Sequence, residues 1–257
     1  MKTIKIYNQE VPSVGFGTWD IRGESGLKAL RSAIEVGYRH FDTAEMYRNE
    51  EVVGSAIHAS GLEREEFFIT TKAWSNNLTR DEIRRACEDS LSRLDVDYVD
   101  LYLIHRPGSA PLEESLAEMH ELVSEGKTRY IGVSNFSVDQ LERSIEISEE
   151  PIFTDQVEYH PFKRRDSLLC FCREKGVLLT AYSPIGHGKV LRDGTLQAIG
   201  DRYAKTPAQV ALRWLVQQDN VITIPKAASE KHQRENMDIF DFELSEEEMR
   251  AIDELGR

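Results

Sequence analysis

Tyr98-Val99-Asp100-Leu101-Tyr102-Leu103-Ile104-His105 is a short apolar run, too brief for a helix and rich enough in bulky residues to read as a buried strand. It ends on a histidine. A helical pattern closes near Leu94 before it, and another opens near Pro111 after it. The same unit recurs on both sides, with strands expected at Val14-Thr18, Arg39-Asp42, Phe67-Lys72, Tyr130-Asn135, Thr154-Tyr159, Leu178-Ser183 and Val221-Lys226. With Val99-His105 that makes a set of eight.

The intervening segments carry helix signals. Thr79/Glu82, Ser137/Gln140, Thr206/Gln209 and Ser245/Glu248 fit the capping box, in which two backbone N–H groups are satisfied reciprocally. Pro207 adds the favoured first-turn proline. Gly37, Gly61, Gly126 and Gly176 stand where left-handed helix stops are expected. Strand–helix alternation predicts a parallel sheet, and eight units predict closure into a (β/α)8 TIM barrel. An open doubly wound sheet is the alternative. Lys2-Val14 is expected to form a hairpin turning at Asn8-Gln9-Glu10, which plugs the barrel's N-terminal end. No linker or composition shift divides residues 1–257, so one domain is expected.

The chain has 257 residues, of which 40% are apolar and 30% charged, the balance of a water-soluble globular protein. No apolar run is long enough to span a membrane, and the first residues lack a signal-peptide stretch. A cytoplasmic monomer is expected. Lys and Arg total 32 against 45 Asp and Glu, a net charge of -13 that disfavours nucleic acid and anionic lipid as partners. An anionic ligand must therefore be held by a local cluster of cations or backbone N–H groups. Cys87, Cys170 and Cys172 give no metal-ligand spacing and read as free thiols.

Almost every strand ends on a chemically capable residue: Asp42, Lys72, His105, Asn135, Gln156 to Tyr159, Ser183 and Lys226. In a barrel these ends converge on the face where sites are built. Three other signals are weaker. Gly15-Phe16-Gly17 lacks the third glycine of a dinucleotide fingerprint. Asp95, Asp97 and Asp100 lack the glycine and closing Glu of a calcium loop. His40 and Asp42 share a strand face and, with His105 and His160, would suit a metal only if Lys72 were not among them. No metal is expected.

The surviving constellation is Asp42, Tyr47, Lys72 and His105. A tyrosine is a poor proton donor at pH 7 unless an ammonium beside it stabilises the phenolate and lowers its pKa. A carboxylate orients that ammonium, and an imidazole polarises a carbonyl oxygen. Together they form a metal-free proton-transfer device for a carbonyl or alcohol.

Gly37-Tyr38-Arg39-His40-Phe41-Asp42-Thr43-Ala44, followed by Tyr47, Asn49-Glu50-Glu51 and Gly54, resembles the first signature of the aldo-keto reductase family. Thr70-Thr71-Lys72 with Trp74, the Tyr98-His105 run, Ile131-Gly132-Val133-Ser134-Asn135-Phe136, Gln156-Val157-Glu158-Tyr159-His160-Pro161, Ala181-Tyr182-Ser183-Pro184 and Ile224-Pro225-Lys226 follow in the family's order. The resemblance spans essentially the whole chain and implies a TIM barrel that reduces small aldehydes and ketones with NADPH. Asp42, Tyr47, Lys72 and His105 match its catalytic tetrad, with Tyr47 as general acid.

The resemblance also implies cofactor contacts. Ser134, Asn135 and Gln156 would hold the nicotinamide carboxamide, and Tyr182 would stack on the ring. Gly17, Thr18, Ser183, Pro184, Ile185 and Gly186 would line the middle and pyrophosphate. Ala208, Ile224, Lys226, Ala227, Ser229, His232, Glu235 and Asn236 would surround the adenosine end. Ala227 stands where Ser or Thr is usual and His232 where Arg is usual, so NADP(H) is expected with NAD(H) also open; Ser229 and Arg234 are nearby substitutes.

Trp19, Tyr47 and Trp74 would wall an open pocket for small polar carbonyls, because the chain ends at Leu255-Gly256-Arg257 without the family's C-terminal substrate loop and its other loops are short. Arg48 and Arg106 replace Gly and Trp; they are either rim charges paired with acids such as Glu45 or Glu50, or a guanidinium contact for an anionic substrate. A non-enzymatic NADP-binding regulatory barrel is the alternative function.

Overall fold

The computed structural model of the protein describes residues 2–256; Met1 and Arg257, the ends of the expected domain, lie outside the described residues. A hairpin of β1 (Thr3–Ile6) and β2 (Gln9–Pro12) opens the chain. Its turn is Tyr7-Asn8, both at positive φ of 45° and 64°, and not the expected Asn8-Gln9-Glu10. Gln9 and Glu10 instead pair with Ile6 and Lys5. A two-residue turn with both residues left-handed matches the twist of its flanking strands, and here Tyr7 accepts that geometry without the usual Asn or Gly.

Eight parallel strands follow, each next to its sequence neighbour. They are β3 (Phe16–Gly17), β4 (His40–Asp42), β5 (Phe68–Ala73), β6 (Val99–Ile104), β7 (Thr128–Ser134), β8 (Ile152–Glu158), β9 (Leu178–Tyr182) and β10 (Val221–Thr223). The two edges of this sheet meet. Val14 bridges Thr223 in parallel, Gly15 N donates to Thr223 O at 2.8 Å, and Gly17 N donates to Pro225 O at 3.1 Å. The barrel is thereby closed. Gly15 and Gly17 serve that closure: a Cβ on Gly15 would lie 3.0 Å from Ile224 Cγ2, and one on Gly17 would lie 2.5 Å from Ile224 O.

The outer layer comprises α1 (Gly23–Val36), α2 (Glu50–His58), α3 (Arg80–Leu94), α4 (Leu112–Ser124), α5 (Val138–Ile147), α6 (Asp166–Lys175), α7 (Gly194–Tyr203), α8 (Pro207–Gln217), α9 (Glu230–Met237) and α10 (Glu246–Asp253). All four expected capping boxes form, at α3, α5, α8 and α10. Gly37 and Gly176 are the left-handed caps of α1 and α6.

Because side chains alternate across a strand, each strand divides its apolar residues between two cores. Outward-facing residues such as Phe41, Ile69, Tyr102 and Ile104 pack with the helices. Phe68, Leu101, Leu103, Leu178 and Ile222 fill the barrel floor, capped by Ile6 and Val11 of the hairpin. This plug leaves the opposite end, where the strands finish, as the open end of the barrel.

Candidate active site

Asp42 and Lys72 complete the inward faces of β4 and β5, and His105 directly follows β6. Lys72 is fully buried. Its Nζ donates to Asp42 Oδ1 at 2.5 Å and to the Thr43 carbonyl at 2.7 Å. Gln156, on β8, donates its amide to the other Asp42 oxygen at 2.7 Å. The Tyr47 ring centre lies 5.1 Å from Nζ. A buried pair stripped of water is tolerable only when its lone pairs and protons are satisfied in this way.

Tyr47 sits on a 3₁₀ turn, Glu45–Tyr47, just beyond β4. Its ring lies edge-on to His105 at 5.6 Å and to Trp19 at 4.9 Å. Trp74 stands perpendicular to His105 at 5.1 Å and carries the Arg106 guanidinium 4.8 Å above its ring. The sequence expected all four tetrad members and the three pocket residues Trp19, Trp74 and Arg106 together, and they are contiguous.

The electrostatics depart from expectation at Tyr47. Burial pushes its hydroxyl pKa up, outweighing the opposing pull of the Lys72 charge. Lys72 lowers the hydroxyl pKa as expected, but burial raises it more, so the ammonium only partly offsets the desolvation of a phenolate. Asp42 keeps Lys72 above the ordinary lysine range, so the ammonium stays charged. His105 is lowered to about 3, first by burial and then by Lys72 and Arg106. Its imidazole is neutral, and its Nδ1 is buried with no partner among the described residues.

The expected nicotinamide-binding residues form one connected set. Asn135, at φ 62°, donates to His105 O and Ser134 Oγ, both at 3.0 Å, and accepts from the Tyr182 hydroxyl at 2.8 Å. Ser134 Oγ donates to Gln156 O at 2.7 Å. Counting donors and acceptors, Asn135 has only acceptor capacity left, whereas Gln156 keeps its carbonyl oxygen and one N–H. That residual set suits a carboxamide, which brings two N–H donors and one acceptor.

After Tyr182 the chain turns sharply, with Ser183, Gly186, His187 and Gly188 all at positive φ and Gly186 N donating to Ser183 O at 2.9 Å. Pro184 and Ile185 lie within this turn. Thr18, whose hydroxyl donates to the Asp42 carbonyl, is fixed by Asn49, which donates to the Thr18 and Ile21 carbonyls. At the far end, Lys226 is exposed while Ile224 and Ala227 are buried. Ser229 caps α9 and its Oγ lies 3.0 Å from His232 Nδ1. Glu235 pairs with Lys231, Asn236 is buried, and Ala208 is half-buried in the first turn of α8. Arg234, suggested as a substitute cation, is held by Glu230 at 2.8 Å.

The acids expected to neutralise the rim arginines are otherwise engaged. Glu50 is buried between Thr71 and Arg93, and Glu45 accepts from the Trp74 backbone and Asn77. Neither pairs with Arg48 or Arg106. Sequence reasoning missed Glu45 and Asn77 as parts of the site. A carboxylate whose partner is a backbone N–H leaves no pattern in the side chains. Among the described residues no three His, Cys, Asp or Glu side chains group as a metal site, and no helix is long and apolar enough to cross a membrane.

The model of the Aldo/keto reductase family matches residues 13–257. Glyoxal reductase from Bacillus subtilis is 42% identical over 257 residues, covering 99% of this chain and 93% of its own. A 9,11-endoperoxide prostaglandin H2 reductase from Trypanosoma cruzi is 40% identical, with 98% and 91% covered. The crystal structure of a thermostable aldo-keto reductase in complex with the inhibitor epalrestat superposes with a TM-score of 0.95 at 44% identity, covering all of both chains.

Proposed function

This chain belongs to the aldo-keto reductase family, and on that premise we propose that Tyr47 is the general acid of its reaction, with Asp42, Lys72 and His105 completing the catalytic tetrad. The protein is an NAD(P)H-dependent carbonyl oxidoreductase. When bound, the reduced nicotinamide supplies the hydride. The chain's own residues do the rest. Neutral His105 and the Tyr47 hydroxyl orient and polarise the substrate oxygen. Tyr47 then gives its proton to that oxygen as charge develops on it, and Lys72, fixed by Asp42, stabilises the phenolate left behind.

The observation that carries this reading is the unbroken chain of contacts from Gln156 through Asp42 and Lys72 to Tyr47 and on to His105. A barrel that only bound cofactor for regulation would not need it. Asn135, Gln156, Ser134 and Tyr182 hold the nicotinamide end, the turn from Ser183 to Gly186 with Gly17 and Thr18 lines the middle, and Lys226 meets the 2′-phosphate of NADPH. The pocket of Trp19, Trp74 and Arg106 admits small polar carbonyls, of the kind the Bacillus relative's name describes, glyoxal. We place it as a single-domain monomer in the cytoplasm.

Tyr47→Phe tests the central claim. It should bind NADPH as tightly as wild type while turnover of methylglyoxal falls by ~10²-fold or more, because the proton is needed only in the transition state. Turnover above about a tenth of wild type would remove Tyr47 from the role.

A further inference from the structure

Glu45 lies two residues before Tyr47 on the same 3₁₀ turn, half-buried, and its carboxylate crosses to the segment after β5. There it accepts the backbone N–H of Trp74, and its two oxygens lie 3.0 and 3.1 Å from the Asn77 side-chain amide. Asn77 N in turn donates to the Trp74 carbonyl at 2.9 Å, so residues 74 to 77 form a turn that the carboxylate grips at both ends. The loop after β6 rests on the same turn. A Cβ on Gly108 would lie 2.8 Å from Leu78 Cδ1 and closer still to the Ser75 carbonyl. Trp74 stands perpendicular to His105 and carries Arg106 over its ring.

We propose that Glu45 is a positioning residue for the substrate: it fastens the pocket wall of Trp74 and Arg106 to the turn that carries Tyr47. Tyr47 and the wall opposite it then keep their separation as one rigid unit. Charge-assisted acceptance from a backbone N–H is strong and directional, and such a link acts on where the carbonyl is held, not on proton transfer. The inference deepens the reading of Tyr47 and Trp74 given above and rests on it.

The effect to measure is therefore a split between KM and kcat. Glu45→Ala should raise KM for methylglyoxal by about fivefold, leave kcat within about twofold, and leave NADPH affinity unchanged. Glu45→Gln keeps a carbonyl acceptor for the Trp74 N–H and should restore KM to within about twofold of wild type. Asn77→Ala, which cuts one end of the grip, should give a smaller rise in the same direction. Hydrogen–deuterium exchange provides a readout independent of turnover: the peptide containing Trp74 to Asn77 should exchange about tenfold faster in Glu45→Ala and at the wild-type rate in Glu45→Gln. An unchanged KM and unchanged exchange in folded Glu45→Ala would overturn the proposal. So would equal losses of kcat, KM and NADPH affinity in both Glu45 variants, since that pattern marks general destabilisation. A wild-type enzyme inactive on every carbonyl tested would defeat the assignment of the reaction, while the exchange rates would still decide whether Glu45 fastens the wall.

Discussion

The Gln156 amide donates to Asp42 Oδ2 at 2.7 Å while Lys72 occupies Oδ1 at 2.5 Å, so one carboxylate is held from two strands at once. Gln156 is thereby a joint between the proposed carboxamide contacts and the tetrad. Gln156→Leu would leave a buried carboxylate oxygen unsatisfied, at a cost of about 1–3 kcal/mol. Urea unfolding should show that loss, together with weaker NADPH binding. Wild-type stability in the variant would mean that Asp42 does not depend on this contact.

Protonation gives a second test. His40 and His105 are both lowered to about 3 from an ordinary 6.5, with burial the leading cause for each. The unfolded chain takes up protons at these positions near pH 6.5 and the folded chain does not. Stability is therefore complete above pH 6.5 and falls as the pH drops toward 3, by roughly 1.4 kcal/mol per pH unit for each proton excluded. Urea midpoints at pH 7, 6 and 5 should decline accordingly, and the ring resonances of both histidines should stay flat from pH 5 to 8. A titration of His105 near pH 6.5 would contradict its assignment as a neutral hydrogen-bonding group.

The parts of this structure legible in the sequence are those written in side-chain period and type. The eight strands were readable because apolar runs of the right length end on Asp42, Lys72 or His105, and the helix starts because Thr79/Glu82 and its counterparts spell their own geometry. What escaped depends on backbone or on burial. Tyr7 at positive φ has no sequence cue, so the hairpin turn was set too late. The rise in the Tyr47 pKa follows from how much protein surrounds the hydroxyl, which no motif states. Glu45 is not legible as an anchor for Trp74 because its partners, the Trp74 N–H and Asn77, follow the next strand and reach it only when β5 pairs with β4.

Arg106 now stands out as an exposed guanidinium without a carboxylate partner among the described residues, laid on Trp74 beside His105. A planar fork in that position suits a carboxylate on the substrate. Arg106→Ala should raise KM for a keto acid by about tenfold and leave methylglyoxal nearly unchanged, because only the charged substrate loses a charge-assisted bond. Equal responses would make Arg106 a wall residue that acts through Trp74 alone.

Cofactor choice turns on which cations are free at the proposed adenosine end. Arg234 is occupied by Glu230, and His232 Nδ1 is directed at Ser229. Lys226 is exposed and has no ion-pair partner among the described residues, so it is free to meet a 2′-phosphate. In a protein of net charge -13, that contact should give NADPH a modest preference over NADH. Lys226→Ala should lower kcat/KM for NADPH by about tenfold, the worth of one charge-assisted bond, and change the value for NADH less than about twofold. The ratio of the two should then approach unity. If both cofactors lose equally, Lys226 shapes the turn after β10 and does not read the phosphate, and the preference must lie elsewhere in the site.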